Sequence, residues 1–254
     1  MRKKYIIANW KMSPLSLRQA ESLFNKIKKG LPRLKNVSVI ICPPLVYLAE
    51  LMRSYSGRRI IFGAQNSFWE NVGPFTGELS PHQLFELGAE YVILGHSERR
   101  ALGETNSLVN KKIKAAAGAG LNVVFCIGEK ERDERGDYLG FIEKEIKEGL
   151  AGFSREKLGR LLIAYEPIWA IGRAGDEAAS SDLLHQMKIF ILKILKSLYG
   201  ERGMEVPIIY GGASAPENAR ELLSEGEVRG LLVGHQSLIP ENFIEIIKIA
   251  DSLK

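Results

Sequence analysis

Eight short runs of apolar, mostly β-branched residues recur along this chain, at 4–8, 37–42, 60–64, 91–94, 122–127, 161–165, 206–210 and 230–233. Between and after them lie stretches with apolar residues at helical spacing, at 16–29, 45–52, 81–87, 107–119, 138–150, 183–198, 216–223 and 241–250. Strand and helix in alternation build a parallel sheet with right-handed crossovers. The runs carry little period-two polarity, so both faces of that sheet are covered. Two architectures satisfy this, a closed (β/α)8 barrel and a doubly wound open sheet. The open sheet usually advertises a glycine-rich turn after its first strand. Here Asn9-Trp10-Lys11 stands in that place. Eight units in 254 residues, with no linker between any two, predict an α/β chain forming a single (β/α)8 barrel domain over 1–254.

Composition narrows the function classes. No apolar run approaches the roughly 20 residues of a membrane span. The basic start, Met1 to Lys4, is followed by too short an apolar stretch for a signal peptide, so a cytoplasmic protein is expected. Cys42 and Cys126 each end an apolar run, and no CxxC or Cys/His spacing suggests zinc. No metal and no cofactor are expected. The net charge of +5 is spread over helical faces and mixed with Glu. That pattern suits an anionic small-molecule substrate better than nucleic acid.

In a barrel of this kind the site lies at the C-terminal ends of the strands, so the residues that follow each run are the informative ones. They are Asn9 and Lys11 after the first, Gln65 and Asn66 after the third, and Gly95-His96-Ser97-Glu98 after the fourth. Gly128-Glu129 follows the fifth, Glu166 the sixth, Gly211-Gly212 the seventh and Gly234-His235 the eighth. Taken singly, Lys11 reads as a solvated lysine, His96 as a satisfied core histidine and the glycines as tight turns. Together they bring one Lys, one His and one Glu to the same mouth. Glycines on the last two turns offer backbone N–H groups for a phosphate. Glu166 is followed by Pro167 and then by a segment containing Gly172 and Gly175, the position of a general base under a movable lid.

The segments Asn9-Trp10-Lys11, Gly63-Ala64-Gln65-Asn66, Gly95-His96-Ser97-Glu98-Arg99-Arg100, Cys126-Ile127-Gly128-Glu129, the nine residues from Ala164 to Gly172, and Tyr210-Gly211-Gly212 resemble the triosephosphate isomerase family, in order and across the whole chain. The resemblance implies interconversion of dihydroxyacetone phosphate and glyceraldehyde 3-phosphate through an enediolate. It implies Glu166 as the base, His96 as a neutral electrophile, and Lys11 as an oxyanion stabiliser with Asn9 beside it and Glu98 as its partner. It further implies phosphate contacts from Gly172, Ala213, Gly234 and His235. The lid would comprise Pro167, Ile168, Trp169, Ala170, Ile171, Gly172, Arg173, Ala174 and Gly175, latched by Tyr210. A homodimer would form through the long loop at 65–80, with Phe75 and Thr76 reaching the neighbour's site.

The chain departs from the family pattern in three places. Gly172-Arg173-Ala174-Gly175 replaces Gly-Thr-Gly-Lys, Ala213 replaces a latch Ser, and His235 replaces a Gly. Two other functions are compatible with the residues alone. One is a Schiff-base aldolase acting on a phosphorylated sugar through Lys11. The other is a barrel that binds without catalysing.

Overall fold

The computed structural model describes residues 3–170 and 179–253. Eight strands close into one barrel in sequence order: β1 (Lys4–Asn9), β2 (Val37–Cys42), β3 (Ile60–Ala64), β4 (Tyr91–Leu94), β5 (Asn122–Ile127), β6 (Leu161–Tyr165), β7 (Ile208–Tyr210) and β8 (Gly230–Val233). Every neighbouring pair is parallel, and closure comes from β1 pairing with β8, Tyr5 opposite Gly230. The expected barrel is therefore what forms, and the open sheet is not.

The helices follow their local signals. In α1 (Leu17–Gly30) the Ser16 hydroxyl accepts the Gln19 N–H, Lys28 and Lys29 occupy the last turn, and Ala20, Leu23, Phe24 and Ile27 form the buried stripe. Next comes α2 (Leu45–Arg53). In α3 (Pro81–Leu87), Ser80 and Gln83 form a capping box and Gly88 ends the helix at φ 102°. The chain continues through α4 (Ser97–Ala101), α5 (Asn106–Ala119), α6 (Asp137–Gly149), α7 (Ser181–Tyr199), α8 (Pro216–Ser224) and α9 (Pro240–Ser252).

The sequence pattern missed α4 and, among the described residues, four short 3-10 turns, which are too brief to show a period. It also began the seventh strand too early. Val206 closes a 3-10 turn instead, and Pro207 has no N–H to give to a ladder, although its carbonyl still accepts from Ile163.

The core has two layers. Ile7, Ile40, Tyr91, Ile93, Val124, Cys126, Leu162, Ala164, Ile209 and Leu232 fill the barrel interior. The intervening strand residues pack outward against the helices. This alternation positions the site. Leu162 and Ala164 point inward, so the next inward position on the same strand line is Glu166. Ile7 likewise leads to Asn9, and Val124 and Cys126 lead to Gly128.

Candidate active site

The segments that follow β1 to β4 line a cavity of about 400 Å3, with Asn9, Lys11, Gln65, His96 and Glu98 in its wall. Glu166 is 1% exposed and His96 is 8% exposed. The Ser97 N–H donates to Glu166 Oε2 at 3.0 Å. Glu166 Oε1 lies 3.4 Å from His96 Nε2 and has no hydrogen-bond donor among the described residues. One carboxylate oxygen is thus anchored and the other is available. The Glu98 N–H donates to His96 Nδ1 at 3.2 Å. An Nδ1 that accepts carries no proton, so the imidazole is neutral with its proton on Nε2, facing the carboxylate.

Lys11 reaches the mouth at the cost of local strain. It sits at φ 53°, a conformation that non-glycine residues adopt for roughly 1–3 kcal/mol. Its N–H is held by Asn9 Oδ1 at 3.1 Å and its carbonyl by Gln65 Nε2 at 2.9 Å. Its ammonium lies 2.6 Å from Glu98 Oε1. That engaged ammonium is the opposite of the desolvated, neutral amine a Schiff base requires.

The backbone around Glu166 is bare where the carboxylate needs room. A Cβ at Gly211 would lie 2.7 Å from Glu166 Cγ, and one at Gly128 would collide with the Glu166 carbonyl. Beside these, Cys126 places its thiol against the carboxylate. Burial, and then that negative charge, push the thiol well above its ordinary pKa, so it stays protonated.

Directly after Glu166 the chain is tied to Glu129. The Tyr165 hydroxyl and Trp169 Nε1 both donate to Glu129 Oε1 at 2.8 Å, Arg132 Nε donates at 3.0 Å, and the Ile168 N–H donates to the Glu129 carbonyl. Burial, and then the Glu129 charge, raise the pKa of the Tyr165 phenol, keeping it a donor. Pro167, Ile168, Trp169 and Ala170 are therefore fixed as a short turn. Ile171, Gly172, Arg173, Ala174 and Gly175 lie outside the described residues.

The remaining expected residues lie on the turns after β7 and β8 and on the long loop. Gly234 lies beside Lys11, with the position of a Cβ 3.6 Å from Lys11 Cε, and His235 opens a 3-10 turn with its side chain exposed. Ala213 is half-buried and its carbonyl accepts from Asn218. The Tyr210 hydroxyl is buried without a hydrogen-bond partner among the described residues, as is the Ser214 hydroxyl one position past Ala213. On the long loop, Phe75 and Thr76 are exposed, whereas Phe68 is buried, with its ring 3.8 Å from that of Trp69 and 4.6 Å from that of Phe75. Sequence reasoning assigned no role to Cys126 or to the Ser97 N–H. It also missed Glu145, a buried acid whose carboxylate accepts the Gly128 N–H. Glu145 had a visible signal: it falls on the apolar stripe of α6, between Ile142 and Ile146.

Comparison with known proteins agrees with the fold and gives the family. A family model described as triosephosphate isomerase matches residues 4–250. A triosephosphate isomerase of Carboxydothermus hydrogenoformans is 43% identical, covering 98% of this chain and 99% of its own. One from Dictyoglomus thermophilum is 42% identical, over 98% and 100%. The crystal structure of triosephosphate isomerase from Bartonella henselae superposes with a TM-score of 0.84 at 32% identity, over 97% of this chain and 98% of that one. The chain belongs to the triosephosphate isomerase family and is an isomerase of that kind, interconverting dihydroxyacetone phosphate and glyceraldehyde 3-phosphate.

Proposed function

We propose that Glu166, His96 and Lys11 carry the isomerisation. The observation that supports this most directly is the available Glu166 Oε1, 3.4 Å from the protonated His96 Nε2. A carboxylate with one oxygen anchored and the other open abstracts the proton from the carbon next to the substrate carbonyl. The His96 Nε2–H donates to the carbonyl oxygen as negative charge develops there. Lys11, set by its strained backbone and by Glu98, adds a fixed positive charge to the same oxygen. Asn9 holds the Lys11 backbone. The hydroxyl proton of the enediolate passes to the other oxygen by way of His96, and reprotonation of the former carbonyl carbon by the Glu166 carboxyl completes the shift, with the carboxylate regenerated.

The phosphate is held by backbone N–H groups of Gly172, Ala213, Gly234 and His235. The lid from Pro167 to Gly175 closes over it, with Tyr210 as a latch. The substrate is a small anion, and the protein works in the cytoplasm without a metal or cofactor. A second copy of the chain completes the site. Phe75 and Thr76 are exposed, and the cavity beside Asn9 and Lys11 is bordered by the exposed apolar side chains of Met12, Leu45 and Leu102. These suit burial against a partner's loop.

The test is a coupled isomerase assay on the wild type and Glu166→Asp. Drawing the carboxylate back by one methylene lowers kcat by roughly 10²–10³-fold with little change in KM. An unchanged rate removes Glu166 from the role of base. Sedimentation tests the dimer, and a fully active monomer at micromolar concentration overturns it.

A further inference from the structure

Behind the catalytic strand ends, and out of reach of any substrate, sits a second buried carboxylate. Glu145 projects from the inner face of α6 and is 2% exposed. Its Oε2 accepts the Gly128 N–H at 2.8 Å, in the turn after β5. Gly128 is packed so closely on the Glu166 backbone that no side chain fits between them. Its Oε1 lies 3.2 Å from Arg100 Nη1. Arg100 in turn donates from Nε to the Gly95 carbonyl at 2.7 Å, from Nη2 to the Cys126 carbonyl at 3.4 Å, and from Nη1 to Asn106 Oδ1 at 2.6 Å. Gly95 is the residue immediately before His96, and Cys126 is the residue whose thiol touches the Glu166 carboxylate. One carboxylate therefore cross-links the end of β4, which carries His96, to the end of β5, which backs Glu166.

We propose that Glu145, in its ionised form, is a positioning residue for the reaction, holding the turns after β4 and β5 in register so that His96 Nε2 and Glu166 Oε1 face the same substrate atoms. This deepens the assignment of His96 and Glu166 made above and rests on it. The charge matters because the carboxylate accepts the Gly128 N–H and pairs with the Arg100 guanidinium at once. Protonated, it keeps the Gly128 contact but presents a weaker acceptor to Arg100, and the grip on Gly95 and Cys126 loosens.

The surroundings put that switch in the working range. Burial raises the Glu145 pKa to about 7, opposed by Arg100 and the Gly128 N–H and reinforced by Glu166 and Glu129. The other groups facing this network are the Cys126 thiol on β5, Asn106 on α5 and, beyond Asn106, Glu148, which accepts from its amide at 2.9 Å. Below about pH 7 the positioning carboxylate becomes neutral.

The experiment compares kcat and KM of the wild type and Glu145→Gln from about pH 5.5 to about pH 9. The amide mimics the neutral carboxyl, so the two proteins match at the acid end. Above about pH 7 the wild type pulls ahead in kcat by roughly three- to tenfold, with KM within about twofold. Taking the ratio removes any ionisation the two proteins share. A ratio that stays constant across the range overturns the proposal. If Glu145→Gln does not fold, Glu145→Asp serves: it keeps the charge but falls short of Gly128, so the pH dependence persists beneath a lowered kcat plateau. A plateau equal to the wild type overturns the proposal. Failure here with a crippled Glu166→Asp refutes only the role of Glu145, whereas an active Glu166→Asp refutes the base assignment itself.

Discussion

The two ends of the barrel carry cavities of similar size and very different character. The mouth carries a cavity of about 400 Å3 on its β1 to β4 side, and the floor, at the N-terminal ends of the strands, encloses about 460 Å3 between Tyr5, Arg155, Glu156, Arg202, Glu205 and Arg229. Both are lined by charges of both signs. At the floor, Arg155, Glu156, Arg202 and Glu205 are exposed, so water screens them. At the mouth, Glu166, His96 and Asn9 are buried and each is held by a named backbone or side-chain contact. Volume does not separate the two ends. Preorganisation does: burial strengthens the charges, and bare glycines let the backbone approach them.

Damage to the mouth should be large. Gly211→Ala puts a methyl 2.7 Å from Glu166 Cγ and displaces the carboxylate. The expected loss in kcat is about 10²-fold, with KM changed less than about threefold, read by steady-state assay. A normal kcat means that the turn after β7 yields and that the mouth is softer than its geometry implies.

A second effect concerns stability. The Glu145 pKa rises from 4.5 to about 7 on folding, because burial disfavours its charge. Between those values the folded protein holds a proton that the unfolded chain has lost. Its stabilising contribution is therefore full below pH 4.5 and is lost as pH rises through about 7. That amounts to about 3 kcal/mol of extra stability at the acid end. Urea unfolding at about pH 5 and about pH 8 reads it, and Glu145→Gln should flatten the difference.

His235 supplies a smaller effect. If backbone N–H groups make the phosphate grip, His235→Gly changes the inhibition constant of inorganic phosphate by less than about threefold. A larger change, measured by competitive inhibition, assigns part of the grip to the imidazole. The smallest effect belongs to the floor, where Arg202→Ala should leave kcat and KM within about twofold. A substantial loss there breaks the contrast between the two ends.

The mouth was also the more legible end in the sequence. Once the strand runs are found, alternation alone sends Glu166 and Asn9 inward, because Ala164 and Ile7 lie two residues before them. Lys11 and His96 sit just past strand ends and were found for the same reason. Other parts depend on contacts between distant segments. The Ser97 N–H on Glu166 and the Cys126 thiol beside it arise only when β4, β5 and β6 are brought together. Glu145 was missed although an acid on an apolar stripe was there to be seen, and its partners, Gly128 and Arg100, lie on two other segments. The start of β7 was misplaced because Val206 reads as strand while Pro207 and the preceding 3-10 turn forbid it.

The pairing of Tyr5 with Gly230 that closes the barrel has a consequence for the order in which a ribosome makes the chain. Strand β1 emerges first, yet one of its two edges has no partner until β8 follows, more than two hundred residues later. At roughly 5–20 residues per second that interval is on the order of ten to forty-five seconds. During it, the strand carrying Asn9 and leading into Lys11 has one open edge, available to any other nascent strand. Asn9 is thus made with the first of the eight strands and enclosed with the last, and the exposure time of β1 is set by the rate of elongation.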